Sequence, residues 1–267
     1  MIWLSVVTVV RDDPAGLWRS VESLRAQDLN SVEFVVVDSS ADPERVQKVL
    51  GVLPQSLRTT VLREPPRGIY PAMNSALGAC TGSFAYFLNA GDRLHSPHVL
   101  ESVQAAMPMG AVWAHGPVEI VARDGAKVVT PDWDYERERR YAFSRGHFPP
   151  HQGTFASVDA LRAAGGFDTR YRIAADYAMF LRLSLLADPV HLPFVIAEFH
   201  EGGASTLNWR QSFREFHHAR HEILTMTRSQ RVLEATLHAW RYALVYGHRE
   251  VRPRLARRTR PHESVVQ

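Results

Sequence analysis

The sequence predicts an α/β fold: a Rossmann-like mixed, mostly parallel sheet flanked by helices, with amphipathic helices added at the C-terminal end. Three observations carry this. LSVVTVV at 4–10 and VEFVVVD at 32–38 are apolar throughout and do not alternate, as strands covered on both faces must be. Helix-patterned segments fall between such runs in a βαβ rhythm. Asp38 and Asp92 each stand where an apolar run stops, and open α/β sheets collect ligands beyond the carboxyl ends of their strands.

The elements follow in order. LWRSVESLRAQ (17–27) is a helix between the first two strands, and PERVQKVLGVL (43–53) leads from the second to a third strand, RTTVLRE (58–64). AMNSALGAC (72–80) reads as a helix and SFAYFLNAGD (83–92) as the strand after it. PHVLESVQAAM (97–107) is helical. AVWAHGPVEIVARDGAKVV (111–129) alternates like a hairpin turning at Asp124-Gly125. TPDWDYERERRYAFSRGHFPPHQG (130–153) is charged, aromatic and rich in turn residues, the character of a binding loop. DALRAAGG (159–166) is a helix closed by Gly165-Gly166, and the second half of FDTRYRIAADYAMFLRLSLLA (167–187) is strongly helical. VHLPFVIAEFHEGGAST (190–206) reads as strand and glycine turn, and 208–250 as two amphipathic helices.

With 267 residues, 45% apolar and 22% charged, the chain can bury a full core, which excludes disorder as its main state. MIWLSVVTVV lacks the basic start and cleavage site of an export signal and reads as a strand. No uncharged apolar run approaches the ~20 residues of a membrane span. A single cysteine, Cys80, allows no internal disulfide, so a cytoplasmic address is expected. The 31 cations are 29 Arg with Lys48 and Lys127, and twelve of the arginines lie from Trp209 onward with no Asp among them. That basic end suggests peripheral contact with an anionic inner membrane face. No nucleic-acid motif accompanies it. The first strand is followed by VVRDDPAG, without the glycine-rich turn of a nicotinamide-dependent oxidoreductase.

In their order and spacing, LSVVTVV with AGLWRSVESLRAQ, VEFVVVDSS, REPPRGIYPAMNSALGACTGSFAYFLNAGD, HQGTFASVDALRAAGGFDTRYRIAADYAMFLRL and EFHEGGAS resemble family 2 of the inverting nucleotide-sugar glycosyltransferases, which have the GT-A fold. GIYPAMN with NAGD is most similar to the exopolysaccharide and glycolipid biosynthesis branch. The resemblance implies a catalytic domain over 1–206, with a nucleotide-binding half (1–100) and an acceptor-binding half (101–206). A helical extension (207–250) and a basic, disordered tail (251–267) would follow.

The resemblance also implies roles. Asn89, Ala90, Gly91 and Asp92 match the metal-binding DXD segment, so Asp92 would hold Mg²⁺ or Mn²⁺ against the donor diphosphate, with His200 completing the site. Here Asn89 and Gly91 occupy places often filled by Asp. Asp38 matches the nucleobase contact, Thr8, Val9 and Arg11 would line the same pocket, and Arg67, Gly68 and Asn74 would serve the donor from the next loop and helix. Asp176 matches the general base of the single displacement, with His151 and Gln152 beside the acceptor or the diphosphate. The residues alone also admit a blander reading: Asp38 and Asp92 as turn formers, Asp176 as a helix cap, His200 as a packing histidine. The partners implied are a nucleotide-diphosphate sugar, a glycan or lipid-linked acceptor and, through the apolar stripe of the C-terminal helices, a second copy of the chain. The alternative from another class is a non-catalytic GT-A-like nucleotide- or glycan-binding scaffold, motivated by the missing acids and by Pro66 and Pro71.

Overall fold

The computed structural model describes residues 1–122, 124–131, 148–200 and 208–247. Most of the charged loop at 130–153, the EGGAST end of 190–206 and the basic tail lie outside the described residues. The chain begins with β1 (Leu4–Val10), α1 (Pro14–Arg25), β2 (Val32–Asp38), α2 (Pro43–Leu50), β3 (Arg58–Arg63), α3 (Ile69–Ala79) and β4 (Phe84–Phe87). Both α1 and α2 start on an Asp-Pro pair. Asp13 and Asp42 accept from backbone N–H groups of the first turn, and the proline behind each supplies a preset φ.

These strands form a seven-stranded sheet in the order β10-β6-β9-β4-β1-β2-β3. β1 pairs in parallel with both β2 and β4, so the chain winds outward to β3 and returns to the other side of β1. That reversal opens a crevice at the carboxyl end of β1. The period of two along a strand divides the core: Val7, Val35 and Val37 pack toward α3, while Val6, Phe34 and Val36 face Leu17, Val21 and Leu24 of α1.

β5 (Arg93–Leu94), α4 (Val99–Ala106), β6 (Trp113–His115), β7 (Val118–Val121) and β8 (Lys127–Val129) come next. The alternating stretch at 111–129 is more than the hairpin its pattern suggests. β7 and β8 do pair antiparallel around Asp124-Gly125, with Gly125 at φ +85°, but β6 joins the main sheet. A short 3-10 turn at His151–Gly153 runs into β9 (Thr154–Ser157), which inserts antiparallel between β4 and β6. The HQGTF segment is therefore a central strand with its turn, where the sequence pattern pointed to the end of a loop. α5 (Val158–Ala163), α6 (Ala175–Leu186), β10 (Val190–His191) and β11 (Ala197–His200) follow, and β11 joins a smaller sheet ordered β5-β11-β7-β8.

α7 (Trp209–Ile223) lies on α6, with Ala219 fully buried and Phe216 edge-on to Tyr177 at 4.8 Å. α8 (Arg228–Tyr246) packs back on α7 and buries only Glu234. No helix among the described residues is long and apolar enough to cross a membrane.

Candidate active site

The turn after β4 is positioned by main-chain continuity and two hydroxyls. Leu88 N donates to Val7 O at 2.9 Å and Ala90 N to Val9 O at 3.4 Å, so the strand extends along β1 to the crevice. Thr8, fully buried, donates to Leu88 O at 2.6 Å. Ser20, on the buried face of α1, lies 2.6 Å from Asp92 O and 3.0 Å from Asn89 O and accepts from Gly91 N at 3.1 Å. Gly91 sits at φ +104°, the left-handed region where a side chain is strained, and the turn thereby aims Asp92 back over the sheet.

Three ionisable groups converge there. His151 Nε2 is 3.0 Å from Asn89 Nδ2, and His151 Nδ1 is 3.5 Å from Asp176 Oδ2. The Asp176 carboxylate, in the first turn of α6, accepts from Tyr177 N at 2.8 Å and from Tyr70 OH at 3.3 Å, both on Oδ1. Burial pushes the Asp92 carboxyl up to about 6, against the opposing effects of the His151 charge and a hydrogen bond from the Gln152 side chain. Burial alone would lower His151, but its hydrogen bond to Asp176 and the charges of Asp176 and Asp92 outweigh it and hold the imidazole above its ordinary value. Tyr70 is raised by burial first and then by the Asp176 charge, so its phenol remains a donor.

Asn89 Oδ1 is buried and has no hydrogen-bond partner among the described residues. Asn89 Oδ1 and the Asp92 carboxyl, on one four-residue turn, are oxygen donors of the kind a hard divalent cation takes, and such ions need only one or two carboxylates. The residues present fit such an ion through Asp92 and Asn89. His200 ends β11 and is exposed. β11 pairs with β5 as Ala197 with Leu94 and Glu198 with Arg93, so its direction carries His200 toward the Asp92 end of β5.

On the other side of β1, two adjoining hollows of about 470 and 270 Å³ share Arg11, Ser39 and Pro66. The first is bounded by Ser40, Arg63 and Glu64, the second by Val9, Gly68 and Ile69. Asp38 is the last residue of β2 and fully buried, and its carboxylate accepts from Ser40 N at 2.8 Å and from the Arg63 guanidinium. It lines neither hollow itself, but holds Ser40 and the Arg63 cation, which bound the first. Gly68, at φ +118°, precedes α3 with no side-chain cap, leaving first-turn N–H groups toward the second hollow; Arg67 is exposed beside it. Asn74 points elsewhere, bonding Phe167 N and O at 2.7 Å each and tying α3 to the turn after α5.

Four participants escape sequence reasoning. Arg63, Ser20 and Tyr70 act across 25 to 106 residues of chain. Glu215, from α7, accepts from Arg172 N at 3.2 Å, Ile173 N at 2.8 Å and Ala174 N at 3.0 Å, and so holds the turn that leads into α6, whose own Ala174 has no capping side chain. The only local signal was the position of Tyr70 within GIYPAMN.

Comparison with known proteins adds independent findings. The model for glycosyl transferase family 2 matches residues 5–162. An uncharacterized glycosyltransferase of Mycobacterium tuberculosis is 29% identical over 208 residues, 76% of this chain and 77% of that one. A PGL/p-HBAD biosynthesis glycosyltransferase of Mycobacterium bovis is 24% identical over 208 residues, 74% and 77% of the two chains. Among solved structures, the mannosyltransferase PcManGT of Pyrobaculum calidifontis, in complex with GDP-Man and Mn²⁺, superposes with a TM-score of 0.64 at 19% identity, over 90% of this chain and 69% of that one. S. aureus TarS superposes with a TM-score of 0.64 at 16% identity over 88% of this chain, which spans 42% of that longer protein.

Proposed function

Because the chain belongs to glycosyl transferase family 2, we propose that it moves a sugar from a nucleotide-diphosphate donor to a hydroxyl of a glycan or glycolipid acceptor by a single inverting displacement. The observation that carries this reading is the convergence of Asp92, His151 and Asp176 at the mouth of the crevice beside β1, with Asn89 Oδ1 left unpaired there. The nucleoside lies in the hollow lined by Arg11, Ser40 and Arg63, with Asp38 beneath it holding Ser40 and Arg63 in place. The diphosphate lies between the start of α3 and the turn at Asp92. A bound Mg²⁺ or Mn²⁺ would neutralise charge on the leaving diphosphate. That PcManGT was solved with GDP-Man and Mn²⁺ supports this assignment by analogy of fold.

Asp176 accepts the acceptor's hydroxyl proton while the oxygen bonds to the anomeric carbon and the bond to the diphosphate oxygen breaks, the electron pair leaving with the diphosphate. Tyr70 and Tyr177 N occupy Oδ1, and Oδ2, which faces His151 Nδ1 at 3.5 Å, takes the proton. His151 lies beside both carboxylates, and their charges hold its imidazole above the ordinary value. A lipid-linked acceptor would place catalysis at the inner face of the cell membrane.

Calorimetry with UDP, GDP and dTDP sugars in the presence of Mn²⁺ tests the reading. Binding of one nucleotide class, lost on Asp38→Ala, is expected. Failure of every nucleotide to bind would favour a non-catalytic scaffold.

A further inference from the structure

The C-terminal helices carry a side-chain cluster for which the transfer reaction has no use. α7 presents His217 and His221, α8 presents Glu234 and His238, and the four-residue spacing places each pair on one helix face. The two faces meet. His217 Nδ1 lies 2.8 Å and His221 Nε2 2.6 Å from Glu234 Oε2, and the His217 ring is 4.3 Å from that of His221 and 4.4 Å from that of His238. Ligand atoms of His217, Glu234 and His238 all fall within 4.8 Å of one another. Arg220 holds the remaining oxygen, Oε1, through Nε at 2.7 Å and an Nη at 2.6 Å, which turns Oε2 toward the histidines.

We propose that His217, Glu234 and His238 form a transition-metal site that clamps α8 to α7, with water as the fourth ligand. Two imidazoles and one carboxylate, completed by water, make a tetrahedral donor set suited to Zn²⁺ or Co²⁺. The Arg220 cation opposes any dication, so hard ions such as Mg²⁺ and Mn²⁺, which rely on the negative charge of oxygen ligands, are excluded in favour of ions that bond strongly to neutral imidazole. The orienting contact from Arg220 to the carboxylate is the kind of outer partner that metal-bound carboxylates keep. α8 needs such a clamp. Its only buried side chain is Glu234, while Val232, Leu233, Trp240 and Leu244 are each more than half exposed, so apolar packing anchors it weakly.

The test uses the full chain, stripped with chelator and titrated with Co²⁺ in the absence of nucleotide. One equivalent should bind with the intense visible absorption of four-coordinate Co²⁺ and be displaced by Zn²⁺. His217→Ala and His238→Ala, each checked by circular dichroism for an unchanged fold, should weaken binding about 100-fold or more, since even outer partners of metal sites are worth 10- to 100-fold. Asp92→Ala should leave the titration unchanged. The proposal is overturned by absence of Co²⁺ binding, by the pale spectrum of a six-coordinate ion, by binding lost in Asp92→Ala, or by unchanged affinity in folded histidine variants. Should a histidine variant unfold, His238→Gln replaces it, with the same two outcomes.

Discussion

Replacing Asp92 with Asn should destroy transfer and make the protein more stable. The folded environment holds the Asp92 carboxyl at about 6, because burial disfavours its charge more than His151 and Gln152 favour it. An ordinary aspartate titrates at 3.8. Between those values the folded state binds more protons than the unfolded one, so stability falls as pH rises, and the loss is complete above pH 6. At 1.36 kcal/mol per pH unit the interval corresponds to about 3 kcal/mol, and the partial exposure of Asp92 to water reduces this to about 1–2 kcal/mol. Asn keeps the shape and the hydrogen bond from Gln152 without the charge. Urea denaturation of both proteins between pH 4 and 8, without metal or nucleotide, should show the variant's advantage growing from pH 4 to 6 and then holding constant. A variant equal to or less stable than the parent at pH 7.5, or an advantage independent of pH, would refute the claim that Asp92 is a buried charge awaiting a cation.

Two further substitutions test how the site is held. Glu215→Ala removes the acceptor for three N–H groups at the start of α6; it should cost about 1–3 kcal/mol in thermal unfolding and lower kcat while leaving donor affinity intact, because only Asp176 loses its footing. Ser20→Ala frees the turn at 89–92 and should cost only about 1 kcal/mol of stability, with a rise in donor KM as its main kinetic effect.

The N-terminal half was legible because its elements are local. β2 is buried at every position, as a run of VEFVVVD requires, and Asp13-Pro14 and Asp42-Pro43 announce their helices in the sequence. Asp38, Asp92 and Asp176 could be singled out from strand ends, a helix start and the family resemblance, and the last two lie near His151. β9 was hidden because a four-residue central strand carries too short a pattern, and because its antiparallel direction is decided by β4 and β6, not by its own residues. Tyr70, Ser20 and Glu215 were hidden for a related reason. Each acts on backbone or carboxylate groups 41 to 106 residues away, and nothing in their immediate neighbours distinguishes them from ordinary helix residues. The C-terminal extension looked like an addition to a finished domain, yet it holds the turn that leads into the helix carrying Asp176.

The central claim is that Asp176 takes the acceptor proton in a site whose donor is held independently of it. Single-turnover transfer by Asp176→Asn, with donor affinity measured on the same preparation, tests it most directly. The account predicts unchanged donor binding and a transfer rate lower by about 10²–10⁴, the range that general-base catalysis supplies. Transfer at the parental rate, or loss of donor binding together with the rate, would contradict it.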